Sequence, residues 1–175
     1  ALVPMTKVLE KPTHPPTPAE ESETQKILKG TEFRSVVGSI GYMVQAACPL
    51  LSYAHSSLSR FNNAPTPEAA RALRHVLRYI KGTVEEPLVY TRRSVGPSLR
   101  LVSFPGHNFP KGERKTGGRT DAVTYTDASF ADDRHDCKSQ TGMCIFVAGC
   151  LVIWKSIRQS TVATSTYHAE TVAAH

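Results

Sequence analysis

The stretch "VTYTDASFADD", Val123 to Asp133, decides the fold class. Val123, Tyr125 and Asp127 fall on one face of an alternating run, the spacing of a half-buried strand. That spacing aims a carboxylate at the side that carries core residues. An ionised acid in such a place is costly unless it is paired, hydrogen-bonded or holding a metal. Three readings are open for Asp127: a strand-end acid that caps a turn, a degenerate Y-x-D-D polymerase motif, and the first metal-binding acid of a nuclease.

The polymerase motif needs two adjacent acids at a hairpin tip, and Ala128 follows Asp127. Downstream, "GMCIFVAGCLVIWK" predicts a hairpin with strands Met143–Val147 and Leu151–Trp154 around Gly149. "SIRQSTVATS" then leads into a helix, "TYHAETVAAH", with Ser165 as its N-cap. Val162, Ala169, Val172 and Ala173 offer that helix and its approach a packing face. Together with the first strand this gives a three-strand antiparallel meander followed by one helix.

Upstream the period is helical. "TEFRSVVGSIGYMVQAA" places Phe33, Val36, Val37, Ile40, Met43 and Val44 on one stripe, and Gly38 and Gly41 permit close helix packing at some cost. "PLLSYAHSSLSRF" predicts a second helix from Pro49 to near Asn62–Asn63. A third begins with Thr66 as N-cap, Pro67 at the first helical position and Glu68 complementing the dipole. Its apolar stripe is Leu73, Val76, Leu77 and Ile80, and Gly82 ends it. Arg71, Arg74, Arg78 and Lys81 recur at steps of three and four along one edge: a solvated flank, or a rail that tracks phosphates. Strands are expected at "PLVYT" and "SLRLVSF", followed by an exposed basic loop, "PGHNFPKGERKTGGRT".

Residues 1–30 are rich in Pro and acids and predict an extended linker with Glu20, Glu21 and Glu23 solvated. The expected divisions are therefore a linker over 1–30, a helical segment over 31–90, strands and a basic loop over 91–120, and a β-rich unit over 121–175. The chain has 175 residues and a formal net charge of +6, which favours an anionic partner such as nucleic acid. No apolar run is long enough to span a membrane, and no secretory signal opens the chain. With no initiator Met, a piece of a longer chain or a trimmed one is expected. Cys48, Cys137, Cys144 and Cys150 form no C-x-x-C pair and fit small buried hydrophobes in a reducing compartment. The expected location is intracellular, cytoplasmic or nuclear.

Four segments in order resemble the ribonuclease H domain of copia-type retrotransposon polyproteins. They are Tyr125–Ala131, against Y-[ST]-D-A-D-[WF]-A; Asp136–Gly142, against D-x-[KR]-S-x-[ST]-G; Trp154–Gln159, against W-x-S-[KR]-[KR]-Q; and Ser165–Thr171, against S-[ST]-x-E-A-E-Y. The upstream "EFRSVVGSIGYMVQAACPLLSYAHSSLSRFNNAPTPEAARALRHVLRYIKGT" resembles the segment joining reverse transcriptase to ribonuclease H in the same polyproteins. The resemblance implies an α+β chain: a helical connection, then part of a ribonuclease H-like fold. It implies that Asp127 and Glu170 are metal-binding acids for Mg²⁺ or Mn²⁺, with further acids beyond His175. The implied partners are an RNA–DNA hybrid, whose RNA strand the complete domain would hydrolyse, and the remainder of the polyprotein. The chain alone is expected to be inactive, and a non-catalytic nucleic-acid-binding or structural remnant is the alternative. Ser129, His168 and Thr171 depart from the family pattern, as does "CPLL" at Cys48–Leu51, where R-P-D-[IL] is usual.

Overall fold

A computed structural model describes residues 3–5, 9, 15–86, 88, 90, 122–132, 136–147 and 150–175. Of the strands expected at 87–91 and 98–104, only Leu88 and Tyr90 are described, neither in a strand, and the basic loop lies outside the described residues. The chain is α+β, as its periodicity predicts. Helices come first: α1 (Pro18–Leu28), α2 (Phe33–Ala46), a 3₁₀ turn (Pro49–Leu51), α3 (Ser52–Ser59) and α4 (Pro67–Thr83). Strands β1 (Ala122–Ser129), β2 (Gln140–Val147) and β3 (Cys150–Arg158) follow, and then α5 (Thr166–Ala174).

Helix α1 corrects the expectation of an extended linker. Pro18 occupies the first turn, where a missing N–H costs nothing and the fixed φ starts a helix. Thr17 and Glu20 close a reciprocal cap: the Glu20 amide donates to Thr17 Oγ at 3.4 Å, and the Thr17 amide donates to the Glu20 carboxylate at 2.7 Å. Glu20 is thus a capping acid rather than a solvated one. The helix stops where Lys29 and Gly30 turn left-handed, at φ 52° and 79°.

The helical core gathers Phe33, Val37 and Ile40 of α2, Ala54 and Leu58 of α3, Phe61, and Leu73, Val76 and Tyr79 of α4. Gly41 brings α2 and α3 together, because a Cβ there would stand 2.6 Å from His55 Nε2. Gly38 has open space instead, so only one of the two expected close approaches occurs. On α4, Thr66 caps as expected, accepting from the Ala69 amide at 3.2 Å. The buried face is turned from the expected stripe. Ala69, Ala70, Leu73, Val76 and Tyr79 face inward, whereas Leu77 is 42% exposed. Small alanines let α4 sit close to its neighbours, and that tilts Leu77 outward. The helix also runs through Gly82 to Thr83.

The sheet is an antiparallel meander in the order β1-β2-β3, with strands longer at their ends than expected. Asp127 stands opposite Gly142, which stands opposite Ser156; on the next rung are Ala128, Thr141 and Ile157. Alternation therefore gives the sheet two chemically distinct faces. One face meets the helices. Trp154 Nε1 donates to Val44 O at 2.7 Å, Gln140 Nε2 donates to Ser56 Oγ at 3.1 Å and to Ser156 Oγ at 2.9 Å, and Phe146 and Leu151 are buried. The other face meets α5. There Gln159 Nε2 donates to Thr141 Oγ1 at 3.0 Å and to Ala169 O at 2.9 Å. Ala163, Ala169 and Ala173 are buried, while Val162 is exposed, which corrects its expected place in the packing face. Beyond α5, Ile153 and Ile157 on this face remain 44% and 53% exposed.

Candidate functional site

Asp127 sits next to last but one on β1, exposed, with no hydrogen bond or ion pair among the described residues. Its free carboxylate is an acceptor with both oxygens available. Alternation puts it on the face that carries Tyr125, whose ring meets Phe146 edge-on at 5.6 Å. In front of it lies a cleft of about 350 Å³ between the sheet and the helices, lined by Leu50, Tyr53, Tyr125, Asp127 and Trp154 among others.

Glu170 lies on α5, half-buried, one turn past the Ser165 cap. Ser165 Oγ accepts from the His168 amide at 3.1 Å. His168 replaces the usual capping acid, and its Nδ1 accepts from the Thr164 amide at 3.4 Å, one residue before the cap. Helix α5 packs mainly against β1. It does so from the face opposite Asp127, so this packing does not bring Glu170 to the face that carries Asp127. The outer edge of β1 is unpaired among the described residues. No group of three or more His, Cys, Asp or Glu residues gathers as a metal cage among them.

The turn after β1 is tightly organised. Ala131 takes a positive φ of 48°, and its amide donates to the fully buried Ser139 Oγ at 3.2 Å. Asp132 closes this turn with its carboxylate. It accepts from Ser129 Oγ at 3.4 Å and also from Tyr53 OH at 3.0 Å, which ties the turn to α3. Burial, then the Asp132 charge and hydrogen bond, hold the Tyr53 phenol well above its ordinary range. Tyr53 has no signal in the sequence, because its partner is 79 residues away. Asp136 pairs with Arg158 and accepts from the Lys138 amide at 3.3 Å, fixing the approach to β2.

The four cations on α4 divide into two pairs. Arg71 forms an ion pair with Glu23 of α1, which corrects the expectation that Glu23 is simply solvated, and Arg74 Nη1 donates to Ile27 O at 3.3 Å. Arg78 and Lys81 are exposed, with no hydrogen bond or ion pair among the described residues. No helix among those residues is long and apolar enough to cross a membrane.

Fold and site together define an α+β chain with an exposed strand acid backed by a helical layer. The chain is 30% identical over 145 residues to the retrovirus-related Pol polyprotein from transposon RE1 of Arabidopsis thaliana, a match spanning 83% of this chain and 8% of that polyprotein. It is 29% identical over 168 residues to the Pol polyprotein from transposon TNT 1-94 of Nicotiana tabacum, spanning 95% of this chain and 10% of that polyprotein. It is 30% identical over 146 residues to the secreted RxLR effector protein 161 of Plasmopara viticola, spanning 83% of this chain and 86% of that protein. The chain belongs to the same family as the Plasmopara viticola protein and is distantly related to the Pol polyproteins of retrotransposons over most of its own length. It spans a tenth or less of the length of the polyproteins it matches. No family profile and no solved structure matches it.

Proposed function

We propose that this chain is the part of a retrotransposon Pol polyprotein in which a helical segment leads from reverse transcriptase into a ribonuclease H domain. In the whole polyprotein that domain hydrolyses the RNA strand of RNA–DNA hybrids, and Asp127 and Glu170 are two of its metal-binding acids. The observation that carries this reading is the placement of the motif acid. Asp127 stands on β1 of an antiparallel meander, and the helix that follows the meander, bearing Glu170, packs on that same strand from the other face of the sheet.

Two carboxylates offer the hard oxygen ligands that Mg²⁺ or Mn²⁺ takes. They do not complete the ligand set of a two-metal centre, so the other ligands come from elsewhere in the polyprotein. When bound, the metals stabilise charge on the phosphodiester and activate water. The chain itself holds the acids on rigid elements: β1 is pinned by the Asp132–Tyr53 bond and α5 by Gln159. Arg71, Arg74, Arg78 and Lys81 track phosphates, and the hybrid is recognised by shape and 2′-hydroxyls rather than sequence.

The test compares Mg²⁺-dependent hybrid cleavage by this chain with cleavage by the same chain continued through the rest of the polyprotein's ribonuclease H region. The expected result is negligible cleavage by the first and robust cleavage by the second, abolished by Asp127→Asn. Cleavage that survives Asp127→Asn in the longer protein would remove Asp127 from the site. A second reading, a non-catalytic nucleic-acid-binding or structural remnant, is favoured by the Plasmopara viticola relative, most of which the match spans. Hybrid binding that is indifferent to divalent metal would support that reading.

A further inference from the structure

Helix α1 covers half of the cationic edge of α4. Going along both helices in step, Glu23 meets Arg71 and the Ile27 carbonyl meets Arg74. Ile27 lies in the last turn of α1, where unsatisfied carbonyls carry the negative end of the helix dipole. Two successive arginines of α4 are therefore met by a carboxylate and then by a dipole-strengthened carbonyl. Phosphate oxygens would present the same sequence of acceptors to them.

The cover buries few side chains fully, though Leu28 packs against the helical core. Thr24 is the one buried residue of α1, and its Oγ1 lies buried without a hydrogen-bond partner among the described residues, an arrangement that works against docking. The Arg71–Glu23 pair is about half exposed, so water and salt screen it. The cap at Thr17 and Glu20 is internal to α1 and stays intact if the helix moves. At the other end, Lys29 and Gly30 supply a left-handed turn.

We propose that α1 is a displaceable acidic mask, which occupies Arg71 and Arg74 until a phosphodiester backbone takes its place. Arg78 and Lys81, left open beyond α1, make the first contacts. This rests on the reading of α4 as a phosphate-binding edge. An approaching strand engages the open pair, then competes with Glu23 and Ile27 for the covered pair. Because bound α1 must be displaced, apparent affinity is lower than the four cations alone would give.

The test uses the full chain, a short end-labelled RNA–DNA hybrid followed by fluorescence anisotropy, and hydrogen exchange. Glu23→Gln should tighten binding about two- to five-fold, the range an exposed ion pair allows. Glu21→Gln removes the same charge from a residue with no partner on α4, and should change affinity less. In an Arg71→Gln background, Glu23→Gln should bring no gain beyond that of Glu21→Gln. Amides across Glu21–Leu28 should lose protection when hybrid binds. Equal effects of the two glutamate variants, together with unchanged protection of α1, would overturn the mask while leaving the phosphate-binding edge standing. Absence of hybrid binding by every variant would overturn the edge, and the mask with it.

Discussion

Tyr53 of α3 donates its hydroxyl hydrogen to the Asp132 carboxylate at 3.0 Å, joining the helical layer to the turn that closes β1. The bond has a charged acceptor and is partly buried, so its loss is felt at the sheet rather than only at the surface. Tyr53→Phe should destabilise the chain by about 1 kcal/mol near neutral pH, read from chemical denaturation. It also carries a pH signature. The folded phenol is held above its ordinary value, so the folded state keeps a proton that the unfolded state releases. Stability from this group is therefore complete below the unfolded value near 10 and falls as pH rises above it. Tyr53→Phe should flatten that alkaline loss, and an unchanged alkaline limb would remove Tyr53 as its source.

Gly41 is required by His55, whose ring fills the space a side chain would need. Gly41→Ala should cost about 1–3 kcal/mol as α2 and α3 separate, despite the better helix propensity of Ala. Burial also pushes His55 below its ordinary value, so the unfolded state binds a proton the folded state refuses. Its contribution is present above the unfolded value near 6.5 and declines as pH falls through the folded value. Adding His55→Ala to Gly41→Ala should recover part of the loss and reduce the acid sensitivity. A Gly41→Ala chain as stable as the parent would mean that α2 and α3 do not need this approach.

Features written in neighbouring residues were legible in the sequence. Thr66-Pro67-Glu68 and Ser165 marked the starts of α4 and α5, because a cap needs only its own next turn. Alternation over Val123–Ser129 marked β1, although its two half-buried residues, Val123 and Ala128, fall on opposite faces. Helix α1 was hidden by its prolines, which suggest a linker unless Pro18 is placed at the first turn. The inward face of α4 was misjudged because apolar character alone chose Leu77 over Ala69 and Ala70, and packing distance decided otherwise. The candidate site was legible only as residue types. Which sheet face receives α5, and the Tyr53–Asp132 and Arg71–Glu23 pairings, depend on partners that no local pattern connects.

Gln159 links β2 to α5 through Thr141 Oγ1 and Ala169 O. Gln159→Ala should loosen α5 selectively, at a cost of about 1–3 kcal/mol. Hydrogen exchange should show faster exchange over Thr166–Ala174 and little change in α4. Gln159→Met should cost less, because it fills the space and also removes the buried Oε1 that lacks a partner among the described residues. Equal acceleration in both helices would show that α5 does not open on its own.

Divalent metal is expected to bind at β1. Asp127 is exposed and unpaired among the described residues, so a cation can approach without first breaking a salt bridge. Glu170 is on the helix packed against that strand, but from the opposite face, so an ion shared with Asp127 would have to sit at the edge of β1 that is unpaired among the described residues. Mn²⁺ reports on such a site through paramagnetic broadening of nearby amide resonances. With both acids as ligands, broadening should centre on Asp127 and its register partner Gly142 and extend to the first turns of α5. Asp127→Asn should abolish it, and Glu170→Gln should weaken binding several-fold, since each carboxylate supplies charge and a hard oxygen. If Glu170→Gln leaves the Mn²⁺ affinity unchanged while Asp127→Asn removes it, Asp127 binds alone and the paired site is wrong. Broadening centred away from β1 would exclude both acids.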